Sequence, residues 1–510
     1  MSSAPLVPLT LIGPGFYGLN TQTSSNVLGV EWAGELNNFV FDEAGRPACR
    51  NGWAGVTTAA LAGTPDIEQI FEYIPLSGSN EVVSAADDKI YTGTTTLTDK
   101  TGALTVTANN WQFVNFNGNC YGLQADHDLI KYTGTGDFTA VTASSGSVPD
   151  GNCLLSAFGR LWGSSADGQV LKYSSALDDA DWGGVGAGSF NFTSVWPTGH
   201  DVITALASFD NYLVVFGKRN IILLADTTGS TIGLTPSNAI VKKVLSGVGC
   251  IARDSVQNID GDDLVFLSYT GVQSLVRVIQ AEGNPLKDVS QNVRDYIVRH
   301  ISMCSTSTIR STYSPFQGMY LLLLPGAGYI YYFSTKAELP NGAFRVATWS
   351  GFVPASLFTL EDGSTTYSGK LGKIFSYSGK QDNGSTIRLV YKSGWLFISE
   401  EVKDYIKILK MISGLFSATG PADVTFYWAF DFNNSYSSFS RQISGLSTDA
   451  EYGTSEFGVA EFGGGYALTE LTAPTTGSGQ FLKIGITCVI DNIAFAVQQL
   501  QLFAKIGRLT

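Results

Sequence analysis

The sequence predicts an all-β chain: an irregular β-propeller of about six blades over residues 56–385, then a β-sandwich over 386–510, with one short amphipathic helix. An N-terminal arm, residues 1–55, is expected to complete the propeller with a strand. Three observations lead there. Charged residues make up only 15% of the chain, against roughly 25% in ordinary globular domains, while 57 glycines punctuate short apolar runs. A hairpin-forming module recurs from about residue 85. The runs then lengthen near residue 385.

The module is a turn, a short apolar strand closing in Gly or Ser, and a second apolar strand about ten residues on. Its copies, turn included, are Asp88 to Gly93, Asn117 to Gly122, Gly159 to Gly163, Asn211 to Gly217, Asp262 to Ser268 and Gly318 to Leu322. Second strands are read at Leu129 to Tyr132, Val170 to Tyr173, Ile221 to Leu224, Val272 to Val278, Tyr329 to Phe333 and Ile374 to Tyr377. The closing positions are spaced by 29 (93 to 122), 41 (122 to 163), 54 (163 to 217) and 51 (217 to 268) residues. These bracket the roughly 40 to 50 residues of a four-stranded blade. A sandwich or barrel built of similar hairpins is the alternative.

After Pro285, the stretch Lys287 to Ile301 sets Val289, Val293, Ile297 and Ile301 at i, i+4 spacing, which predicts a helix packed between blades or, alternatively, one offered to a partner. Beyond residue 385, longer strands are expected at Ile387 to Tyr391, Val424 to Phe430, Phe481 to Ile490 and Ala494 to Ala504. In the last, Phe495, Val497, Gln499, Gln501 and Phe503 alternate with Ala496, Gln498, Leu500 and Leu502. Between them a pentad repeat, Glu451-Tyr452-Gly453, Glu456-Phe457-Gly458 and Glu461-Phe462-Gly463, alternates charge, ring and glycine. Its aromatics Tyr452, Phe457 and Phe462 are the candidate assembly contact; the alternative is an idle hairpin tip.

Basic residues number 31 against 44 acidic, a net charge of −13, so tight nucleic-acid binding is not expected. From residue 386 onward there are 9 basic and 11 acidic residues, so most of the acidic excess precedes it. Cys49, Cys120, Cys153, Cys250, Cys304 and Cys488 lie far apart with no C-x-x-C pair and read as buried thiols of a protein made in a reducing cytoplasm. The opening residues show no basic, apolar leader pattern, and the longest oily run, Met319 to Leu324, is far short of a membrane span.

Chemistry is sparse. His127, His200 and His300 are isolated from one another and from cysteine, so no metal site or triad is expected. Gly183 to Gly188 is glycine-rich but precedes Phe190-Asn191-Phe192, not a helix, and reads as a loop instead of a phosphate cradle. Asp260-Gly261-Asp262-Asp263 lacks the ligand spacing of a calcium loop. A glycoside hydrolase would need two facing carboxylates; Asp167, Asp210 and Asp263 are candidates, but Asp167 and Asp263 fall in turns that favour Asp for its own sake. No catalytic residue, metal or cofactor is assigned.

Gly18-Leu19-Asn20-Thr21-Gln22, Gly34-Glu35-Leu36-Asn37-Asn38-Phe39-Val40-Phe41-Asp42, Gly45-Arg46 and Arg50-Asn51-Gly52-Trp53 resemble the N-terminal arm of tail nozzle, or packaged-DNA-stabilisation, proteins of short-tailed phages. The similarity extends to the blade at 209–217, the region 287–301, the Glu-aromatic-Gly repeat and the ending Gln498 to Arg508. It runs through most of the chain as weak motifs, with no catalytic residue to carry over. The resemblance implies a virion structural subunit, not an enzyme. It would form a homo-oligomeric ring, typically a hexamer, below the portal and adaptor, meeting tail fibre or needle proteins and retaining and then conducting the genome. An acidic lumen would let DNA slide without sticking. A receptor-binding tail protein and a glycan-degrading propeller are the alternatives.

Overall fold

A computed structural model describes residues 6–509 except 108–109, 198, 228–233, 284, 286 and 444–466. Strand accounts for 48% and helix for 6%, so the fold is all-β. Five four-stranded antiparallel sheets and four antiparallel strands at one end of a ten-stranded sheet form the propeller blades. Their innermost strands are Ile67–Tyr73, Gln112–Phe116, Leu154–Ala157, Ala205–Phe209, Arg310–Ser314 and Ser356–Thr359. Between the fourth and fifth, a three-stranded sheet, Gln257–Ile259, Asp263–Ser268 and Gly271–Ser274, takes a further place in the ring. Each inner strand packs on the next, and Ser356–Thr359 packs back on Ile67–Tyr73 to close the circle.

The hairpin modules are mostly the second and third strands of blades, but the one at Asp88 is not. Lys89–Thr92 is the third strand of its blade, behind Glu81–Ala86, whereas Asn119–Leu123 and Arg160–Ser164 are second strands. That offset explains the short first spacing of 29. Turns carry the residues their backbone requires: Asn117, Asp210 and Asp260 all adopt positive φ, a conformation that short polar side chains tolerate.

Helical structure departs from the sequence reading in two places. There are two α-helices among the described residues, α1 (Leu275–Ala281) and α2 (Arg294–Ile301). The run Val272 to Val278 is strand only to Ser274, whose hydroxyl accepts the Arg277 N–H and caps α1. Conversely, residues 287–293 are turns: buried Asp288 accepts from the backbone N–H and hydroxyl of Ser290 and pairs with Arg294, and these side-chain bonds replace a first helical turn. Val289, Val293 and Ile297 are nonetheless all buried in the main core, because turns and helix together still project them inward.

The remaining strands form two further sheets packed face to face, with Phe416 edge-on to Phe426 across the gap. One pairs Tyr405–Ala418 with Phe495–Leu509 and Ala467–Pro474; the other orders Ile387–Ser393, Leu482–Ile490, Ala422–Phe430 and Ser437–Ile443. The final strand does not alternate strictly. A bulge where Leu415 faces Gln499 but Phe416 faces Val497 switches the buried set from Phe495 and Val497 to Leu500, Leu502 and Ala504. Gln498 at that bulge accepts from Arg46 and donates to Ser417.

The first fifty-five residues stitch the parts together. Trp53–Gly55 supplies the outermost strand of the sixth blade by pairing with Lys373–Tyr377. Trp32–Asn37 lies between Arg345–Trp349 of the fifth blade and Ile387–Ser393, so that blade and a sandwich sheet are continuous. Leu6–Ile12 runs antiparallel to Phe495–Leu509 on the flank opposite Tyr405–Ala418, and Pro47–Cys49 meets that same flank further along, at Ala496. None of the six cysteines is in a disulfide; five are buried and Cys304 is half-buried. No helix among the described residues is long and apolar enough to cross a membrane.

Candidate functional site

Closure of the ring leaves an axial cavity of about 320 Å³, walled by side chains such as Phe71, Phe113, Leu155, Leu206, Gln257 and Phe358 from successive inner strands. Two arginines and one aspartate dominate its polar chemistry. Arg253 and Asp254 sit in a tight turn before Gln257–Ile259; the turn is held by Ser255, whose hydroxyl donates to the Ala252 carbonyl and accepts the Leu267 N–H. Arg310 opens the inner strand of the fifth blade.

Arg253 grips Asp254 with two N–H groups, at 2.7 and 2.8 Å, and gives the rest to the carbonyls of Asn110, Trp111 and Asn152. One side chain therefore ties the three-stranded sheet to the approaches of the second and third blades. Arg310 reaches the same carboxylate at 3.1 Å and donates to the carbonyls of Glu68, Ser307 and Ile309, adding the first and fifth blades. Burial alone would raise the Asp254 pKa, but the two guanidiniums outweigh it and hold the carboxyl below its usual range. Glu68 goes the other way: burial raises it, Arg310 opposes this and the nearby Asp66 adds to it.

Such a site is a lock. Among the described residues Asp254 is the one carboxylate lining the cavity, and a carboxyl held ionised by two cations does not deliver protons at neutral pH. A glycosidase pair needs a second carboxylate, one kept protonated. Nor does the cavity conduct a duplex: its volume equals that of about ten waters at roughly 30 Å³ each, whereas the DNA major groove alone is about 12 Å wide.

A comparison with described protein families returns no match, and neither does a comparison with curated proteins.

The three aspartates considered from the sequence do not converge. Asp167 lies in the turn between the second and third strands of the third blade, where it accepts from Ser165 and the Gln169 N–H. Asp210 lies between first and second strands, at the opposite end of the propeller, since consecutive antiparallel turns alternate ends. Asp263 accepts the Val276 N–H at the start of α1, and burial raises its pKa. The glycine-rich loop is occupied by its own chain: Gly183 and Gly184 N–H groups point at the Asp181 carboxylate. His127 meets the Ala125 carbonyl and His300 the Tyr331 hydroxyl, and no group of three potential metal ligands occurs among the described residues. Tyr452, Phe457 and Phe462 lie outside the described residues.

Sequence reasoning missed the Arg253–Asp254–Arg310 cluster. The available signal was an Arg-Asp pair inside an apolar stretch, Ile251-Ala252 before it and Val256 after it. That pattern marks a buried pair but says nothing of the second arginine, 56 residues on by the numbering (254 to 310).

Proposed function

We propose that this protein is a structural, non-enzymatic subunit of the DNA-exit nozzle of a short-tailed phage, assembling as a ring, with six copies expected, beneath the portal and adaptor. The observation that carries the reading is the disposition of the arm bearing the resemblance. Its segments 18–22, 34–42 and 50–53 join blade to sandwich by strand pairing and bury Leu19, Leu36, Phe39, Phe41 and Trp53 in the main core, as a rigid scaffold requires. The locked axial cavity supports the same view, because it removes the propeller axis both as a conduit and as a two-carboxylate active site. Genome passage would then run between copies, along a lumen lined by the acidic excess, so phosphate is repelled and the duplex slides.

The pentad aromatics Tyr452, Phe457 and Phe462 are the assembly contact in this reading. Burying each ring against a neighbour would contribute roughly 2 kcal/mol. Electron microscopy of the purified full chain tests the proposal: rings with a central opening wide enough for a duplex are expected, with assembly weakened by deletion of residues 451–463. A strictly monomeric protein in the presence of its portal-side neighbours, or release of sugars from host polysaccharide, would overturn it.

A further inference from the structure

A second cavity, of about 340 Å³, lies between α2 and the sheet that continues the fifth blade. It exists because Trp32–Asn37 changes partner on one side. Trp32 and Ala33 pair with Gly18–Leu19, Asn37 pairs with Thr348, and Gly34, Glu35 and Leu36 between them have no registered strand partner on that side. The Thr348 hydroxyl, at 3.1 Å, caps the Leu36 carbonyl instead. Helix α2 roofs the gap with Tyr296, Arg299 and His300.

The roof is an aromatic stack, with Tyr296 tilted at its exposed end, beside a free cation. The His300 ring stacks on Tyr329 at 5.3 Å and 10°, Tyr296 lies 5.8 Å from it, and a 2.7 Å hydrogen bond to the Tyr331 hydroxyl fixes the imidazole. Arg299 is exposed, and its guanidinium has no hydrogen-bond or ion-pair partner among the described residues. Across the cavity stands the Glu35 carboxylate, half-exposed and anchored by Lys392 at 2.7 Å.

Each part selects a chemistry. An exposed ring takes a flat apolar face, a guanidinium fork takes one carboxylate in two-pronged fashion, and a fixed carboxylate takes hydroxyl donors. The volume is at the small end of the roughly 300–1,000 Å³ range of ligand pockets, suited to one ring. Polyphosphates and nucleic acid are disfavoured by Glu35 and by the net charge of −13. We propose that this cavity binds a carboxylated sugar: one uronic-acid-type pyranose, its C–H face on the exposed Tyr296 ring that the His300–Tyr329 stack backs, its carboxylate on Arg299 and its hydroxyls on Glu35. The inference is independent of the nozzle reading.

Saturation-transfer NMR on the full chain, titrating methyl glucuronide against methyl glucoside, tests it. Glucuronide should bind at least about tenfold more tightly, the weight of one charge-assisted hydrogen-bonding pair. Arg299→Ala should abolish that preference, and Tyr296→Ala should weaken both sugars. Val298→Ala, on the exposed side of α2, should change neither. Both Arg299 and Tyr296 are exposed, and unchanged melting of the variants would establish that they fold. Equal affinity for the two sugars, no binding of either, or a preference that survives Arg299→Ala would overturn the assignment.

Discussion

Arg50 and Asp382, 332 residues apart, form a two-pronged ion pair at 2.6 and 2.9 Å with both side chains buried. The Arg50 guanidinium also donates to Asn38 and to the Asn51 carbonyl and lies over the Trp349 ring at 5.6 Å. The N-terminal arm, the fifth blade and the loop leading into the sandwich thus share one charged node. Removing one partner of such a pair strands the other in a dry site.

Arg50→Met should therefore lower unfolding free energy by about 3–5 kcal/mol, measured by urea denaturation. The double variant Arg50→Met/Asp382→Leu should recover most of the loss. A double variant as unstable as the single one would mean that the node stabilises through its attraction and not merely through mutual neutralisation.

Gly52, beside that node, should tolerate no side chain. Its N–H and carbonyl bond Gly379 and Ser378, and a Cβ there would overlap the Gln381 carbonyl oxygen, far inside van der Waals contact. Gly52→Ala is expected to cost about 1–3 kcal/mol or more by overpacking, seen as a lowered Tm. An unchanged Tm would mean the loop at 379–382 yields freely.

Acid should unlock the propeller axis. Asp254 has its folded pKa held below that of the unfolded chain, about 3.9. Its contribution is accordingly present above about pH 4 and is lost as pH falls through the folded value. Asp254→Asn should be less stable than wild type at pH 7, with the difference shrinking below pH 4. A difference that is constant from pH 7 to pH 2 would rule out this linkage.

Val293 is fully buried at the entry to α2, whereas Val298 on the same helix faces solvent. Val293→Asp should lower stability by several kcal/mol through an unpaired buried charge, while Val298→Asp should stay within about 0.5 kcal/mol. Equal effects in thermal unfolding would contradict the assignment of faces.

Local chemistry was legible in the sequence. The hairpins, their turn residues and the change to long strands follow from alternation and from which side chains accept positive φ, and those are decided within a few residues. Some local signals were present but outweighed: Ser274 as a helix cap within a run that looks like strand, and Asp288 with Ser290 bonding the backbone where i, i+4 spacing suggests helix. The bulge at Gln498 lies further out of reach. Nothing in the strand itself announces it, since its partners are Arg46, from the turn before Pro47–Cys49, and Ser417 of the neighbouring strand.

What the sequence by itself determined is that this chain forms β-meanders in a ring followed by longer paired strands, because period-2 patterning and turn chemistry are properties of neighbouring residues. Only the tertiary structure decided that Trp53–Gly55 joins a strand 320 residues later (53 to 373), that Trp32–Asn37 fuses blade to sandwich, and that Arg253, Asp254 and Arg310 meet on the axis. Strand edges are chemically alike, so which pair is chosen depends on the closure of the whole ring and on where buried charges find partners. Both are sums over residues far apart in the chain.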